Sequence, residues 1–299
     1  MIKILLLLQN VISDKIFFVL LPDNFYDTSM KKFFVCVFIL VIGFSSCSQF
    51  EKLRKSTDYQ LKYRKAFEYY NVGDFVRSGQ LFDDIVNMYR GTNKADTIAF
   101  YQAMSYFNQK DYLTASHYFS RHYKEQRQSQ FAEECEYLTG YCNYMQSPRP
   151  TLDQANTYAA IESFQVFLVR HPTSQYAADA EKYLAEMKDK LVDKSYLTAK
   201  LYYDLGQYRA SIIALNNSLD DYPETRHREM LMYLLLRSSY LLAENSVPSK
   251  MRDRFQSALD DYYSFIGEFP QSQYARDAQR MYDRADRFLK ARPGEEDEK

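Results

Sequence analysis

From about residue 58 onward, apolar and small residues return in a fixed frame. Ala66-x2-Tyr69-x3-Gly73-Asp74-Phe75-x2-Ser78-x3-Phe82 and Ala103-x2-Tyr106-x3-Lys110-Asp111-Tyr112-x2-Ala115-x3-Phe119 coincide at a period of 37 residues. Ala199-x2-Tyr202-x3-Gly206-Gln207-Tyr208-x2-Ser211-x3-Leu215 is a later copy. Such spacings predict two helices facing each other across a tight turn: small residues let the helices approach, aromatics fill the seam, and Gly or Asp serves the turn. A period of this length marks a repeat array. Two further copies are stretched. The first-helix Tyr and second-helix aromatic are 13 residues apart in Tyr69/Phe82 and Tyr106/Phe119, but 23 in Tyr141/Phe164 and 22 in Tyr240/Tyr262. Inserted loops are therefore expected near Gln146–Asn156 and Glu244–Arg254, where Pro148, Pro150 and Pro248 would break the helices.

A second signature links distant segments. His171-Pro172-Thr173-Ser174-Gln175-Tyr176-Ala177-Ala178-Asp179-Ala180 recurs as Phe269-Pro270-Gln271-Ser272-Gln273-Tyr274-Ala275-Arg276-Asp277-Ala278, and Tyr222-Pro223-Glu224-Thr225 is a partial copy. Pro is expected to end one helix and Ser or Thr to cap the next. The pattern resembles the tetratricopeptide repeat (TPR). It predicts an all-α, TPR-like helix–turn–helix solenoid of about five repeats plus a C-terminal helix from Ser272 to about Leu289. Repeats one, two and the start of three fall in 58–145; the rest of three to five, with two inserted loops and the terminal helix, fall in 146–290. The charged tail 291–299 is expected to be disordered.

The amino terminus follows a different pattern. Lys31-Lys32 precedes twelve almost purely apolar residues, Phe33 to Phe44, then Ser45-Ser46-Cys47. Twelve helical residues span about 18 Å, short of the roughly 30 Å hydrocarbon core, so a cleaved signal peptide (1–46) is expected in place of a spanning helix. Phe44-Ser45-Ser46-Cys47 resembles a lipobox with Phe44 where Leu is usual, which makes Cys47 the expected acylated residue; an ordinary secretory signal with a chance cysteine is the alternative. Ser48 favours the outer membrane, since Asp there resembles an inner-membrane retention signal. Residues 1–29 disrupt the signal layout, and Met30 is the expected initiator. Residues 47–57 read as a polar tether.

Composition narrows the function. The chain of 299 residues has 28 Tyr and 21 Phe against 8 Gly, 8 Pro and no Trp, a profile that suits helices with ring-packed seams. A net charge of -1 gives no basic excess for nucleic acid. Cys135 and Cys142, roughly 10 Å apart on one helix, cannot reach a disulfide and read as buried small hydrophobes. His117, His122, His171 and His227 stand in no metal motif, His117 and His122 diverging by about 140° around a helix. Asp83-Asp84, Glu133-Glu134 and Asp220-Asp221 read as solvated faces. The chain is therefore expected to bind no metal or cofactor and to be no enzyme.

A binding surface is expected instead. In TPR arrays the first helices line a groove, and the positions that point into it correspond to Tyr63, Phe67, Tyr70 and Asn71 in repeat one, and Phe100, Met104, Phe107 and Asn108 in repeat two. Rings supply contact area and amides satisfy backbone groups, so an extended peptide with alternating aromatics would suit this trough. The same rings can instead pack between repeats, and the asparagines can be helix C-caps ahead of Gly73 and Lys110.

A lipobox followed by five TPR-like repeats, with Tyr-Pro-x-Thr caps and the Ser-Gln-Tyr-Ala-x-Asp-Ala helix start, resembles the BamD family, lipoproteins of the outer-membrane β-barrel assembly machinery, over roughly Cys47 to Leu289. The resemblance implies a scaffold on the periplasmic face of the outer membrane. Its amino-terminal repeats would engage unfolded outer-membrane protein precursors and its carboxy-terminal repeats would dock the barrel component BamA, beside other assembly lipoproteins. The alternative is another lipid-anchored TPR protein, such as a SusD-type nutrient-uptake lipoprotein; those are usually longer, and no sugar-binding Trp exists here.

Overall fold

The computed structural model of the protein describes residues 49–291. The signal segment, Cys47 and the tail 292–299 lie outside the described residues. The chain divides into two units, 1–65 and 66–299. In the first, residues 49–55 are helical, so most of the stretch expected as a tether is helix; Phe50 is buried and the Lys62 ammonium donates to the Arg54 carbonyl. Asp58 accepts the Leu61 amide at 2.8 Å, starting α1 (Tyr59–Asn71), which continues into the second unit.

The second unit is an all-α array: α2 (Phe75–Ile85), α3 (Ala95–Asn108), α4 (Tyr112–Glu125), α5 (Ala132–Gln146), α6 (Ala155–Arg170), α7 (Ala177–Asp204), α8 (Tyr208–Asp221), α9 (Arg228–Glu244), α10 (Pro248–Glu268) and α11 (Ala275–Lys290). From α2 on, each helix packs on the next, and α5, α7, α9 and α11 also pack on one another in turn. This is the TPR-like alternation of first and second helices. No strand occurs among the described residues.

Three hairpin turns are built alike. At Gly73, Lys110 and Gly206 the backbone enters the left-handed region (φ 83°, 63° and 72°). The following amide reaches five residues back, Asp74 to Tyr69, Asp111 to Tyr106 and Gln207 to Tyr202, at 2.9, 3.0 and 2.9 Å. The turn residue's own amide bonds Tyr70, Phe107 or Tyr203, completing the two-bond C-terminal motif that satisfies orphan carbonyls. Asp74 and Asp111 then cap α2 and α4 by accepting the amides of Arg77 and Thr114.

The stretched repeats part company. In the first, 147–154 is a loop, pinned to α7 where the Lys190 ammonium donates to Ser147 Oγ at 2.7 Å and that of Lys194 to the Leu152 carbonyl at 3.0 Å. In the second, the loop expected over Glu244–Arg254 shrinks to 245–247, and the extra residues lengthen α10 to 21 residues. Pro248 starts α10 instead of breaking it, because a first-turn position needs no amide donor and the ring presets φ.

The inter-repeat turns also differ from expectation. Ser174, Thr225 and Ser272 are not the N-caps; those are Tyr176, His227 and Tyr274. Each hydroxyl accepts the amide of the residue two further on, at 3.1, 3.2 and 3.0 Å, and Ser129 does the same for Phe131 at 2.9 Å. The aromatic so placed lies flat on a first-helix ring. The pairs are Phe131 on Phe100 (4.2 Å between centroids), Tyr176 on Tyr137 (4.6 Å), His227 on Tyr196 (4.2 Å) and Tyr274 on Tyr233 (4.3 Å).

The core runs along the seam. One cluster gathers Ala103, Phe119, Cys135, Cys142, Phe164 and Met187, and another Tyr240, Phe255, Phe265 and Ala285. Cys135 and Cys142 are buried and free, and burial pushes the Cys142 thiol up to about 12. Gly140 lets α5 meet α6: a Cβ there would lie 3.0 Å from the Phe164 ring.

Lys110 holds a conformation that glycine adopts freely. Lys110→Gly should raise stability by about 0.5–1 kcal/mol, a shift of roughly 2–3 °C in the melting temperature measured by circular dichroism; an unchanged or lower value would show the turn is not strained.

Candidate functional site

The repeat frame decides which side chains share a position along the first helices. One step after Ala66, Ala103, Gly140, Ala199 and Leu236 come Phe67, Met104, Tyr141, Lys200 and Arg237; four steps after come Tyr70, Phe107, Tyr144, Tyr203 and Tyr240. Repeats one to three thus present rings and a thioether, and repeats four and five pair a tyrosine with a cation.

Of the expected surface residues, the structure brings Phe67, Tyr70 and Asn108 together around a ring the sequence reading omitted, Tyr101. Phe67 meets Tyr101 edge-on at 5.0 Å and Phe82 at 5.1 Å. Tyr70 meets Tyr101 at 4.9 Å and Phe75 at 5.3 Å, and its hydroxyl accepts from Asn108 Nδ2 at 3.1 Å. Burial raises the Tyr70 pKa, against the Asn108 hydrogen bond. Asn108 is therefore a ring-positioning amide. Phe107, half-buried, touches Tyr112, Phe119 and Tyr141 at 5.6, 6.2 and 6.0 Å, and Met104 is half-buried against the same core. Asn71 is exposed at the end of α1, and Tyr63 is half-buried in the first unit. Phe100 is only 6% exposed, closed under Phe131.

The rings continue where the sequence reading stopped. Tyr141 and Tyr144 converge on Tyr183 of α7 at 5.3 and 4.4 Å, and the Tyr144 hydroxyl donates to Glu186 at 2.7 Å. That bond, with burial behind it, pushes Tyr144 up to about 12. Adding 37 once more to Met104 and Phe107 would have found Tyr141 and Tyr144; nothing in the frame announces Tyr183. All three are half-buried. The result is a ladder of partly accessible rings from α1 through α3 and α5 to α7.

Repeats four and five build a different surface on the same positions. The Arg237 guanidinium lies over Tyr203 at 5.8 Å and donates to the Tyr233 hydroxyl at 3.0 Å. Tyr233 in turn donates to Asp277 at 2.7 Å, and its pKa is pushed up to about 12, by burial first and by that bond. Lys200 pairs with Asp204. Arg237 is exposed and has no carboxylate within ion-pair distance among the described residues. Both surfaces offer aromatic area and oriented hydrogen bonds, which is binding chemistry.

The family model of the YfiO outer membrane lipoproteins matches residues 55–252. The chain belongs to this family. Among curated relatives of this YfiO chain is the outer membrane protein assembly factor BamD of Rickettsia prowazekii (strain Madrid E), 26% identical over 106 residues, which are 36% of this chain and 42% of the relative. The chain thus spans about two-fifths of that relative's length. Among solved structures, the TPR2AB domain of yeast Sti1 in its pHSP90 complex overlaps with a TM-score of 0.34 at 14% identity, covering 76% of this chain and 98% of that one. This overlap is too distant to bear on the site.

Tyr233→Phe removes one hydroxyl that joins Arg237 to Asp277. Urea unfolding should show a loss of about 1–2 kcal/mol; no loss would mean the chain of bonds is solvent-replaceable.

Proposed function

We propose that this YfiO-family protein is a non-catalytic, lipid-anchored scaffold of outer-membrane protein assembly. The ring ladder of repeats one to three takes extended, aromatic-bearing segments of unfolded barrel precursors, and the Arg237 surface of repeats four and five docks the periplasmic part of a BamA-like barrel insertase beside other assembly lipoproteins. The observation that carries the first half is the ladder itself: six rings, Phe67, Tyr70, Phe107, Tyr141, Tyr144 and Tyr183, are half-buried, so each keeps surface that a ligand can meet. A row of partly accessible rings suits an extended peptide that bears aromatic side chains. The second half rests on Arg237, held by Tyr203 and Tyr233 so that binding a carboxylate freezes little further side-chain freedom.

Membrane attachment fits the same reading. Among the described residues no helix is long and apolar enough to cross a membrane, and acylation of Cys47 would supply the anchor. Residues 49–65 carry Lys52, Arg54, Lys55, Lys62, Arg64 and Lys65 against Glu51 and Asp58, a basic excess that adds affinity for an anionic surface beside the lipid.

Pull-down of the mature protein from detergent-solubilised membranes tests this. A barrel insertase should co-purify; a TonB-linked transporter, or no membrane partner, would sink the reading. Tyr70→Ala with Phe107→Ala should weaken a precursor's carboxy-terminal peptide about tenfold or more by fluorescence anisotropy while leaving the insertase bound. Arg237→Glu should do the reverse. If both variants lose both ligands, the two-surface division is wrong.

A further inference from the structure

Arg-His occurs three times, each at the end of a second helix or in the turn after it: Arg121-His122, Arg170-His171 and Arg226-His227. Two of these close on a carboxylate of the chain itself. Glu136, buried, takes His171 Nε2 at 3.0 Å and Arg170 Nη1 at 2.8 Å. Asp193 takes His227 Nε2 at 2.7 Å and Arg226 Nη2 at 2.6 Å. In both, one carboxylate meets the arginine and the histidine together.

The remaining pair is incomplete. His122 Nε2 lies 2.8 Å from Asp96 Oδ1, an ion-pair distance reached off the angle a hydrogen bond needs, and Nδ1 meets no partner although the side chain is only 1% exposed. Arg121 does not join Asp96. Its guanidinium lies over Tyr118 at 5.1 Å, with one nitrogen 3.5 Å from Gln102 Oε1, and among the described residues no carboxylate is within ion-pair distance. Packing does not explain the imidazole either. Three residues after Phe82, Phe164 and Tyr262, the core is closed by Ile85, Phe167 and Phe265; three after Phe119 stands His122. A buried imidazole nitrogen without a partner is unfavourable, which an aliphatic or aromatic residue there would avoid.

His122 and Arg121 line a cleft of about 500 Å³ between α3, α4 and the segment 86–93 that links α2 to α3. Its walls add Arg90, whose guanidinium reaches Asn87 Oδ1 at 3.5 Å, with Thr92, Asn93 and Glu125. We propose that this cleft binds the carboxylate of a polypeptide, which completes the Arg-His pair whose arginine meets no carboxylate among the described residues. Arg121 supplies the fork of N–H donors and His122 donates from Nδ1, the nitrogen left without a partner, with Asp96 beside Nε2. The amides and hydroxyl of the walls suit peptide groups leading to the carboxylate. Glu125 disfavours a dianion, so a singly charged carboxylate fits better than a phosphate. The site is independent of the ring ladder.

The test uses the full chain with ring-13C histidine, whose four imidazoles report separately, and His122→Phe assigns the signal. Acetyl-triglycine with a free carboxylate should shift the His122 signal saturably at millimolar concentration, and acetyl-triglycine amide should not. Arg121→Gln should weaken the peptide at least fivefold with the melting temperature unchanged, and His122→Phe should raise that temperature. Equal shifts from acid and amide, no shift from either, or a response to inorganic phosphate alone would overturn the proposal. So would a lower melting temperature for His122→Phe, which would make the imidazole a packing element.

Discussion

Every inter-repeat junction of the second unit from α3 to α11 turns on one interaction, a flat stack of two rings fixed by a hydroxyl. A Ser or Thr captures the amide two residues on, and the aromatic at that position lies on the first-helix ring of the repeat being left. A helical hairpin cannot bury its own apolar face, so an array stands or falls by what joins neighbours. Each stack adds about 0.5–1.5 kcal/mol beyond the area it buries. More important than that sum is direction: ring planes 9° to 14° apart admit one way for the chain to enter the next helix. In two junctions the hydroxyl also donates to a first-helix carboxylate, Ser174 to Glu133 and Ser272 to Glu229. The small-residue seam behind it then closes, as Ser78 on Ser105 and Ser211 on Ser238 show.

This junction explains what the sequence revealed and what it hid. The 37-residue frame, the turns at Gly73 and Gly206, and the loop after Gln146 were legible because each depends on local geometry, helical period or a glycine's free φ. The Ser and Thr of the recurring signature were legible as residues at the start of a helix. Their true role was not, since a side chain that accepts an amide two residues on looks in sequence like one that caps at the next position. Pro248 was read as a breaker because proline both stops and starts helices, and only the neighbours decide which. Tyr101 and Tyr183 escaped because neither stands at a position of the repeated motif, Tyr101 falling two residues before Ala103 and Tyr183 in the part of α7 that precedes its Ala199 copy. Phe100 shares a frame position with Tyr63, yet the stack under Phe131 closes it. Periodicity assigns a face; it does not say what will cover it.

Packing and recognition therefore compete for the same rings. Tyr70 and Phe107 spend part of their surface holding α1, α3 and α5 together, and the remainder is what a ligand can meet. Truncating either ring loses both functions, so a smaller change that keeps the ring in place reads binding more cleanly than alanine does. Asn108 illustrates the arrangement: by donating to the Tyr70 hydroxyl it fixes a ring that packing alone would let rotate.

The two proposed surfaces are joined by one element. α7 places Ala180, Tyr183, Leu184 and Met187 in the core of repeats two and three, then Tyr196, Ala199 and Tyr203 in that of repeats four and five. No turn interrupts its 28 residues, so Tyr183 and Lys200 are held roughly 26 Å apart along a helix axis. A bending joint at this point would let each surface bind its ligand in any relative position. A continuous helix, further pinned by Lys190 and Lys194 to the loop 147–154, fixes that position in advance. Binding at one surface then raises the local concentration of its ligand at the other by geometry alone, with no conformational change required.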